Sequence, residues 1–95
     1  MAASREKLSD EQLQDALADL PGWRVEEGKL RKTFEFSDFS EALGWMVRAG
    51  LEAEKLNHHP DWSNSWNKVD VSLKTHSADA LTELDVTLAG RMEEL

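Results

Sequence analysis

The sequence predicts an α+β fold: a four-stranded antiparallel sheet with three helices on one face, in the order α-β-β-α-β-β-α. Three observations lead to this prediction. Apolar residues recur at three- and four-residue steps in three segments, alternate with polar residues in four shorter segments, and the alternating segments come in pairs joined by short turns. Strands joined in this way pair antiparallel, and helices cover the apolar face of such a sheet.

The first helix is predicted over residues 9–20. Ser9 can cap the free backbone N–H groups, and Gln12 can reach back to complete a capping box. An apolar stripe follows at helical spacing and consists of Leu13, Ala16, Leu17 and Leu20. Pro21-Gly22 then ends the helix, because proline cannot continue the hydrogen-bond ladder.

The first predicted hairpin comes next. Trp23 and Val25 alternate with charged residues before a turn at Glu27-Gly28. The following strand has one apolar face, which consists of Leu30, Phe34 and Phe36. Lys32 interrupts this face. We therefore expect these two strands to pair.

The longest helix is predicted to begin after Asp38, which gives a second capping signature with Glu41. Its apolar stripe consists of Ala42, Trp45, Met46, Ala49, Ala53 and Leu56. The helix should end near Asn57, because Pro60 disfavours the helical conformation at His59. Charged residues elsewhere on this helix predict an outer face exposed mostly to water; they are Glu41, Arg48, Glu52 and Lys55.

The second hairpin has its predicted turn at Asn67-Lys68, since asparagine tolerates positive φ. The strand before it alternates through Trp62, Asn64 and Trp66. The strand after it has His76 as its final residue, on the face opposite its apolar side. That apolar side consists of Val69, Val71, Leu73 and Thr75.

The last helix opens with a capping box of Thr82 and Asp85. It carries the apolar residues Leu84, Leu88, Met92 and Leu95. Three helices on one face leave the other face of the sheet partly open. A second subunit that packs on this sheet or extends its edge is the most economical cover, so we expect a homodimer or homotetramer.

Length and composition exclude several classes of protein. The 95 residues predict a single domain, residues 1–95, because so short a chain cannot divide its core in two. The chain has no cysteine and reaches charged residues early without an apolar stretch, so we expect a cytoplasmic protein with no export signal and no membrane span. A formal net charge of -8 would repel a phosphate backbone, which argues against direct nucleic-acid binding.

The three histidines are the best candidates for chemistry, because imidazole can both give and take a proton near neutral pH. His58 and His59 follow the long helix, and His76 ends the fourth strand. A purely structural role stays open at this point, since a histidine at a helix C-terminus also complements the helix dipole. A zinc site is disfavoured, because adjacent histidines diverge and helical ligand pairs prefer spacings such as i, i+4.

Two neighbouring residues also have two interpretations. Trp62 could stack on a flat heterocycle, but a place in an alternating strand suits the core equally well. Glu54 lies one turn before His58 and could orient it, or could belong to the solvated face of the helix. The sequence contains no Gly-rich phosphate loop and no nucleophile elbow.

Several segments together resemble the pterin-4a-carbinolamine dehydratases. The most specific runs from Glu54 through Asn57-His58-His59-Pro60 to Trp62, and Leu73-Lys74-Thr75-His76 follows at the spacing of that family. Leu8-Ser9, Gly22-Trp23 and Phe34-Glu35-Phe36 support it upstream. The resemblance therefore covers nearly the whole chain.

The resemblance implies a reaction and a set of roles. Members of the family remove water from the 4a-hydroxytetrahydropterin (4a-hydroxytetrahydrobiopterin) that aromatic amino-acid hydroxylases produce, and they need no metal or organic cofactor. The quinonoid dihydropterin that results can be recycled by a reductase. By resemblance, His58 and His76 supply acid and base, and His59 holds or polarises the substrate. The remaining implied pocket residues are Glu54, Pro60, Trp62, Thr75, Ser77, Ala78 and Asp85, of which Glu54 and Asp85 act as supporting carboxylates.

A protein-interaction module is the competing hypothesis. Animal members of this family also act as dimerisation cofactors of a homeodomain transcription factor. A partner would need a binding stripe on the exposed face of the long helix, where the charged residues predict mostly solvent.

Overall fold

The computed structural model describes residues 4–95. Met1, Ala2 and Ala3 lie outside the described residues, although they belong to the predicted domain and to the segment assessed for an export signal. The elements follow the predicted order. They are α1 (Asp10–Ala18), β1 (Arg24–Glu26), β2 (Lys29–Glu35), α2 (Phe39–Leu56), β3 (Asp61–Ser65), β4 (Lys68–Leu73), a 3-10 turn (His76–Ala78) and α3 (Glu83–Glu93). Within residues 4–95, none of the helices is both long and apolar enough to cross a membrane.

The helix starts lie where the sequence supplies caps. The Ser9 hydroxyl accepts a hydrogen bond from the Gln12 backbone N–H at 3.1 Å, and the Gln12 side chain accepts one from the Ser9 N–H at 2.9 Å. Asp38 accepts one from the Glu41 N–H at 2.8 Å at the start of α2. All three predicted caps are confirmed, since Thr82 and Asp85 also form a capping box at α3.

The sheet has the strand order β1-β2-β4-β3, and every neighbouring pair is antiparallel. Both predicted hairpins are therefore present, and β4 lies between β2 and β3. The apolar face of the sheet packs against all three helices in one core. Fully or nearly fully buried members of that core are Leu30, Trp45, Ala49, Val69, Val71, Leu73, Leu88 and Met92. The opposite face carries polar side chains from all four strands, including Arg24, Arg31, Asp61, Asp70 and Ser72.

The fourth strand is shorter than predicted. β4 ends at Leu73, and His76 begins a 3-10 turn instead of ending a strand. The last pair between β2 and β4 is Leu30 with Leu73, and β2 begins one residue before Leu30. Beyond Leu73 the chain has little strand left to pair with, so it turns instead.

The second hairpin turn is shifted by one residue from the prediction. Ser65 pairs with Lys68, which leaves Trp66 and Asn67 as the two turn residues. Trp66 takes the positive φ of 49°, although it was predicted to lie in the strand. Asn67 has another role, because its side-chain amide donates to the backbone carbonyl of Phe36 at 2.8 Å.

The outer face of α2 is the largest departure from the sequence-based expectation. Charged residues predicted a face exposed mostly to water, but four apolar side chains lie along it at four-residue spacing, each about half exposed. They are Phe39, Leu43, Val47 and Leu51. We call these four residues the α2 stripe. The charged residues identified in the sequence lie beside it and do not interrupt it.

Candidate active site

The histidine pair is positioned by the end of α2. Asn57 adopts the left-handed conformation with φ of 49°, and the N–H of His58 bonds back to the carbonyl of Ala53 at 3.1 Å. Asparagine tolerates this conformation better than most residues, so it is a natural helix stop. The reversal buries the ring of His58, which is 7% exposed, and leaves His59 exposed.

The third histidine is positioned by a small closed loop. Thr75 and Ala80 exchange backbone hydrogen bonds of 3.0 and 3.4 Å, and the 3-10 turn lies between them. Asp79 takes the left-handed conformation that closes this loop, with φ of 50°. As a result, His76 and Ser77 project from the body of the protein and are exposed.

The three histidines line one pocket of about 260 Å³. The end of α2 contributes one wall, and the segment between β4 and α3 contributes the other. The remaining lining residues are Arg5, Asn57, Lys74, Thr75 and Ser77. The pocket therefore places three imidazoles beside hydroxyl, amide and cationic groups, which suits a polar ligand that exchanges protons.

Each histidine faces its own carboxylate through Nε2. The distances are 2.6 Å from His58 to Asp85, 2.7 Å from His59 to Glu54 and 3.4 Å from His76 to Asp61. Only the first pair is buried; in the other two pairs every side chain is more than half exposed. Within residues 4–95, no three His, Asp or Glu side chains are grouped in a way that could hold a metal ion.

The buried pair belongs to a larger hydrogen-bond network. One oxygen of Asp85 lies 2.6 Å from Nε2 of His58, and the other accepts from the Thr75 hydroxyl at 2.8 Å and from the Thr82 N–H at 2.9 Å. Thr75, Thr82 and Asp85 are each at most 1% exposed. The network therefore fixes the ring of His58 from behind, on the side away from solvent.

Lys74 places a positive charge at the rim of the pocket. Its ammonium group lies 2.6 Å from the carboxylate of Asp79. This hydrogen bond, followed by the charge of Lys74 and a smaller effect of His76, lowers the pKa of Asp79 below its ordinary value of 3.8. Asp79 therefore stays ionised throughout the pH range in which imidazoles titrate.

The residues implied by the resemblance do not all meet in this pocket. His58, His59, His76, Thr75 and Ser77 line it, whereas Pro60, Ala78 and Glu54 do not. Glu54 contacts the pocket only through His59.

Trp62 and Asp85 also lie away from the lining. The ring of Trp62 packs toward Trp45, with 6.3 Å between the ring centroids. This contact agrees with the interpretation of Trp62 as a core residue. Asp85 is fully buried and reaches the pocket only through His58.

Sequence reasoning missed several members of the site. Asn57 and Lys74 were named within the family motifs but were given no place in the site, yet both line the pocket. Asp61 contacts His76 because Pro60 places it at the start of β3. Thr82 was identified as a cap, and its second function is visible only once the fold brings it to Thr75, at 2.7 Å.

Comparison with known proteins identifies the chain. The family described as pterin 4 alpha carbinolamine dehydratase matches residues 6–95. The chain belongs to this family. Membership confirms the resemblance recognised in the sequence and the expected enzyme class, a dehydratase.

Individual relatives agree with this assignment. Proteins of Brucella ovis and Brucella abortus strain S19, both with the provisional name pterin-4-alpha-carbinolamine dehydratase, are 44% identical to the chain over 94 residues. Each match covers 97% of both sequences. A crystal structure described as a transcriptional coactivator/pterin dehydratase from Brucella melitensis superposes with a TM-score of 0.90 at 43% identity. That match covers 94% of this chain and 97% of the other.

Proposed function

We propose that this member of the dehydratase family converts 4a-hydroxytetrahydrobiopterin into quinonoid dihydropterin and water by histidine acid-base catalysis. The observation that carries the proposal is the meeting of His58, His59 and His76 in one pocket. The family name supplies the reaction class, and the pocket supplies groups that can transfer protons near neutral pH.

The chemistry requires two proton transfers and no change of oxidation state. In a carbinolamine, one carbon carries both a hydroxyl group and a nitrogen. Dehydration breaks the C–O bond, and the hydroxyl takes a proton and leaves as water. The neighbouring nitrogen loses a proton, and its electron pair forms the C=N bond. One protonated imidazole and one neutral imidazole therefore suffice, and positioned proton transfer contributes typically 10²- to 10⁴-fold.

The surroundings of the histidines suit different roles. His76 is largely exposed, so it exchanges protons rapidly with water and can serve as the acid that protonates the leaving hydroxyl. His58 is buried and held by Asp85, which suits a base that must keep one orientation. His59, paired with the exposed Glu54, holds or polarises the substrate.

A direct assay tests the proposed activity. 4a-hydroxytetrahydropterin is generated freshly and its decay is followed by ultraviolet absorbance with and without the purified protein. We expect the protein to accelerate the decay, and His59→Ala to raise KM more than it lowers kcat. A decay rate that equals the spontaneous rate at all protein concentrations would contradict the proposed function.

The cellular setting is a further part of the proposal. We propose that the enzyme acts in the cytoplasm, where it removes the product of an aromatic amino-acid hydroxylase so that a reductase can recycle the pterin. The absence of cysteine from the sequence is consistent with a reducing compartment. Co-purification or genomic neighbourhood with such a hydroxylase would support this link.

The α2 stripe supports a second part of the proposal, self-association. Four half-exposed apolar residues on one helix form the kind of patch that marks a protein contact. We propose that a second copy of the chain covers the stripe in a homodimer or homotetramer. The competing interaction-module hypothesis would use the same surface for a different partner; the Brucella melitensis protein is described as a transcriptional coactivator as well as a dehydratase.

A further inference from the structure

The network behind His58 allows every proton in it to be assigned. Asp85 uses one carboxylate oxygen, Oδ2, to accept hydrogen bonds from the Thr75 hydroxyl and the Thr82 backbone N–H. The other oxygen, Oδ1, lies 2.6 Å from Nε2 of His58. All of these groups are buried.

The two threonine hydroxyls have only one consistent arrangement. Thr75 has a single hydroxyl proton, which it donates to Asp85, so at the 2.7 Å contact with Thr82 it must accept. Thr82 therefore donates to Thr75, and the Thr82 oxygen accepts from the backbone N–H of Leu84 at 3.2 Å. The only place at which Asp85 still needs a donor is Oδ1, where it faces His58.

His58 must supply that donor. An imidazole is ordinarily a stronger base than a carboxylate, and the two groups that contact Oδ2 are both donors, so Asp85 acts there only as an acceptor. The proton between the two residues therefore belongs to the ring, on Nε2. In the neutral form of His58 this leaves Nδ1 as the unprotonated nitrogen.

The remaining nitrogen of His58 is open to the pocket. Among residues 4–95, no group forms a hydrogen bond with Nδ1. Nδ1 is also absent from the side-chain atoms that are fully buried without a partner, so it is accessible from outside the protein. Since His58 lines the pocket with His59 and His76, Nδ1 is the ring atom available to a ligand.

We infer that Asp85, oriented by Thr75 and Thr82, locks His58 as the Nε2–H tautomer, so that Nδ1 is the nitrogen that exchanges a proton with the substrate. The catalytic half of this inference rests on the proposed function, whereas the tautomer does not. Thr75, Thr82 and Asp85 are positioning residues, because they act on the reaction through His58. Thr75 also immediately precedes His76, so one residue connects the supports of both catalytic imidazoles.

The tautomer can be measured without any assay of activity. Nitrogen-15 NMR distinguishes the two neutral forms of imidazole, and the chain has only three histidines, so His58→Gln identifies the His58 signals by their loss. In the wild-type protein at a pH where His58 is neutral, we expect the Nε2–H pattern. The Nδ1–H pattern would overturn the inference.

Asp85→Asn gives a sharper second test. Because Thr75 and Thr82 both donate to Oδ2, the amide oxygen of the new side chain must take that position and the amide NH₂ must face His58. Nε2 then becomes an acceptor, and we expect the NMR pattern to switch to Nδ1–H. An unchanged Nε2–H pattern in Asp85→Asn would overturn the claim that Asp85 sets the tautomer.

The catalytic half has its own variants. Thr75→Val removes the hydroxyl that orients Asp85, and we expect kcat to fall roughly tenfold or more with little change in KM. Thr75→Ser retains that hydroxyl, so we expect it to lose much less of kcat than Thr75→Val does. An equal loss in both variants would overturn the positioning role. If the wild-type protein shows the Nε2–H pattern but no dehydratase activity, the proposed function fails and the assignment of the tautomer stands.

Discussion

The carboxylate of Asp85 joins the start of α3 to the ring of His58. One oxygen closes the capping box with Thr82, and the other lies 2.6 Å from Nε2 of His58. Capping boxes ordinarily stabilise only the helix that they begin. In this protein the same carboxylate also holds a candidate catalytic ring, so folding of the last helix and positioning of His58 depend on one side chain.

Replacement of Asp85 should destabilise the protein strongly. Asp85→Ala leaves buried donors on Thr75, Thr82 and His58 without a partner, and we expect a loss of about 3 kcal/mol in the free energy of unfolding. Glu83→Ala is the matched control, because Glu83 is an exposed acidic residue in the same helix turn and should contribute less than about 1 kcal/mol. Urea unfolding measures both, and equal losses would contradict the role of the network.

The turn at Trp66 should be improvable. Trp66 has φ of 49°, a left-handed conformation that is unfavourable for a residue with a side chain. Its side chain is 65% exposed, so little packing offsets this cost. We expect Trp66→Gly to raise the free energy of unfolding by about 0.5–1 kcal/mol, since glycine adopts this conformation freely. Ser65→Gly, one residue earlier in β3, should lower it instead. A clear destabilisation by Trp66→Gly would show that the tryptophan side chain makes important contacts.

The α2 stripe should control self-association. Leu51→Lys places a charge on the most exposed residue of the stripe, so a subunit contact there would lose its apolar complement. We expect this variant to shift the protein to a smaller species in sedimentation analysis, and Arg48→Gln, on the same helix but outside the stripe, to leave the species unchanged. If Leu51→Lys sediments like the wild type, the subunit contact lies elsewhere, for example at the edge of the sheet.

The titration of Asp79 reports on the rim of the pocket. Its pKa lies below 3.8 because Lys74 donates a hydrogen bond to it, so the stabilising contribution of the pair exists above 3.8 and is lost as the pH falls through the lowered pKa. In Lys74→Met we expect the pKa of Asp79 to rise toward 3.8, as measured by carbon-13 NMR of the carboxyl group. Lys68→Met, at the start of β4, should not change it. Identical titrations in Lys74→Met and the wild type would mean that the pair does not form in solution.

Local signals in the sequence predicted most of the fold. Caps at Ser9, Asp38 and Thr82 placed the helix starts, and Pro60 placed the end of α2, because each acts within one turn of the backbone. The predicted strand end at His76 and the predicted turn at Asn67-Lys68 were wrong, because β4 ends at Leu73 and the turn lies at Trp66-Asn67. Both depend on where the partner strands begin and end, which is a property of the assembled sheet.

The site was predictable in its histidines and less so in their supports. His58, His59 and His76 stood out because imidazole chemistry is distinctive and their spacing matches a family. The contact of Thr82 with Thr75 could not be predicted, because it joins two elements whose relative position no local pattern gives. The α2 stripe was missed for another reason, since charged residues beside it drew the expectation of a solvated face.

The double variant His58→Ala with His76→Ala tests whether the pocket histidines accelerate dehydration by proton transfer. Its rate of 4a-hydroxytetrahydropterin decay is compared with that of the wild type at equal concentration, with circular dichroism and urea unfolding to establish that both are folded. We predict that the acceleration falls by roughly 10²-fold or more, toward the spontaneous rate. If the folded double variant accelerates the decay as well as the wild type does, the histidines are not the proton-transfer groups.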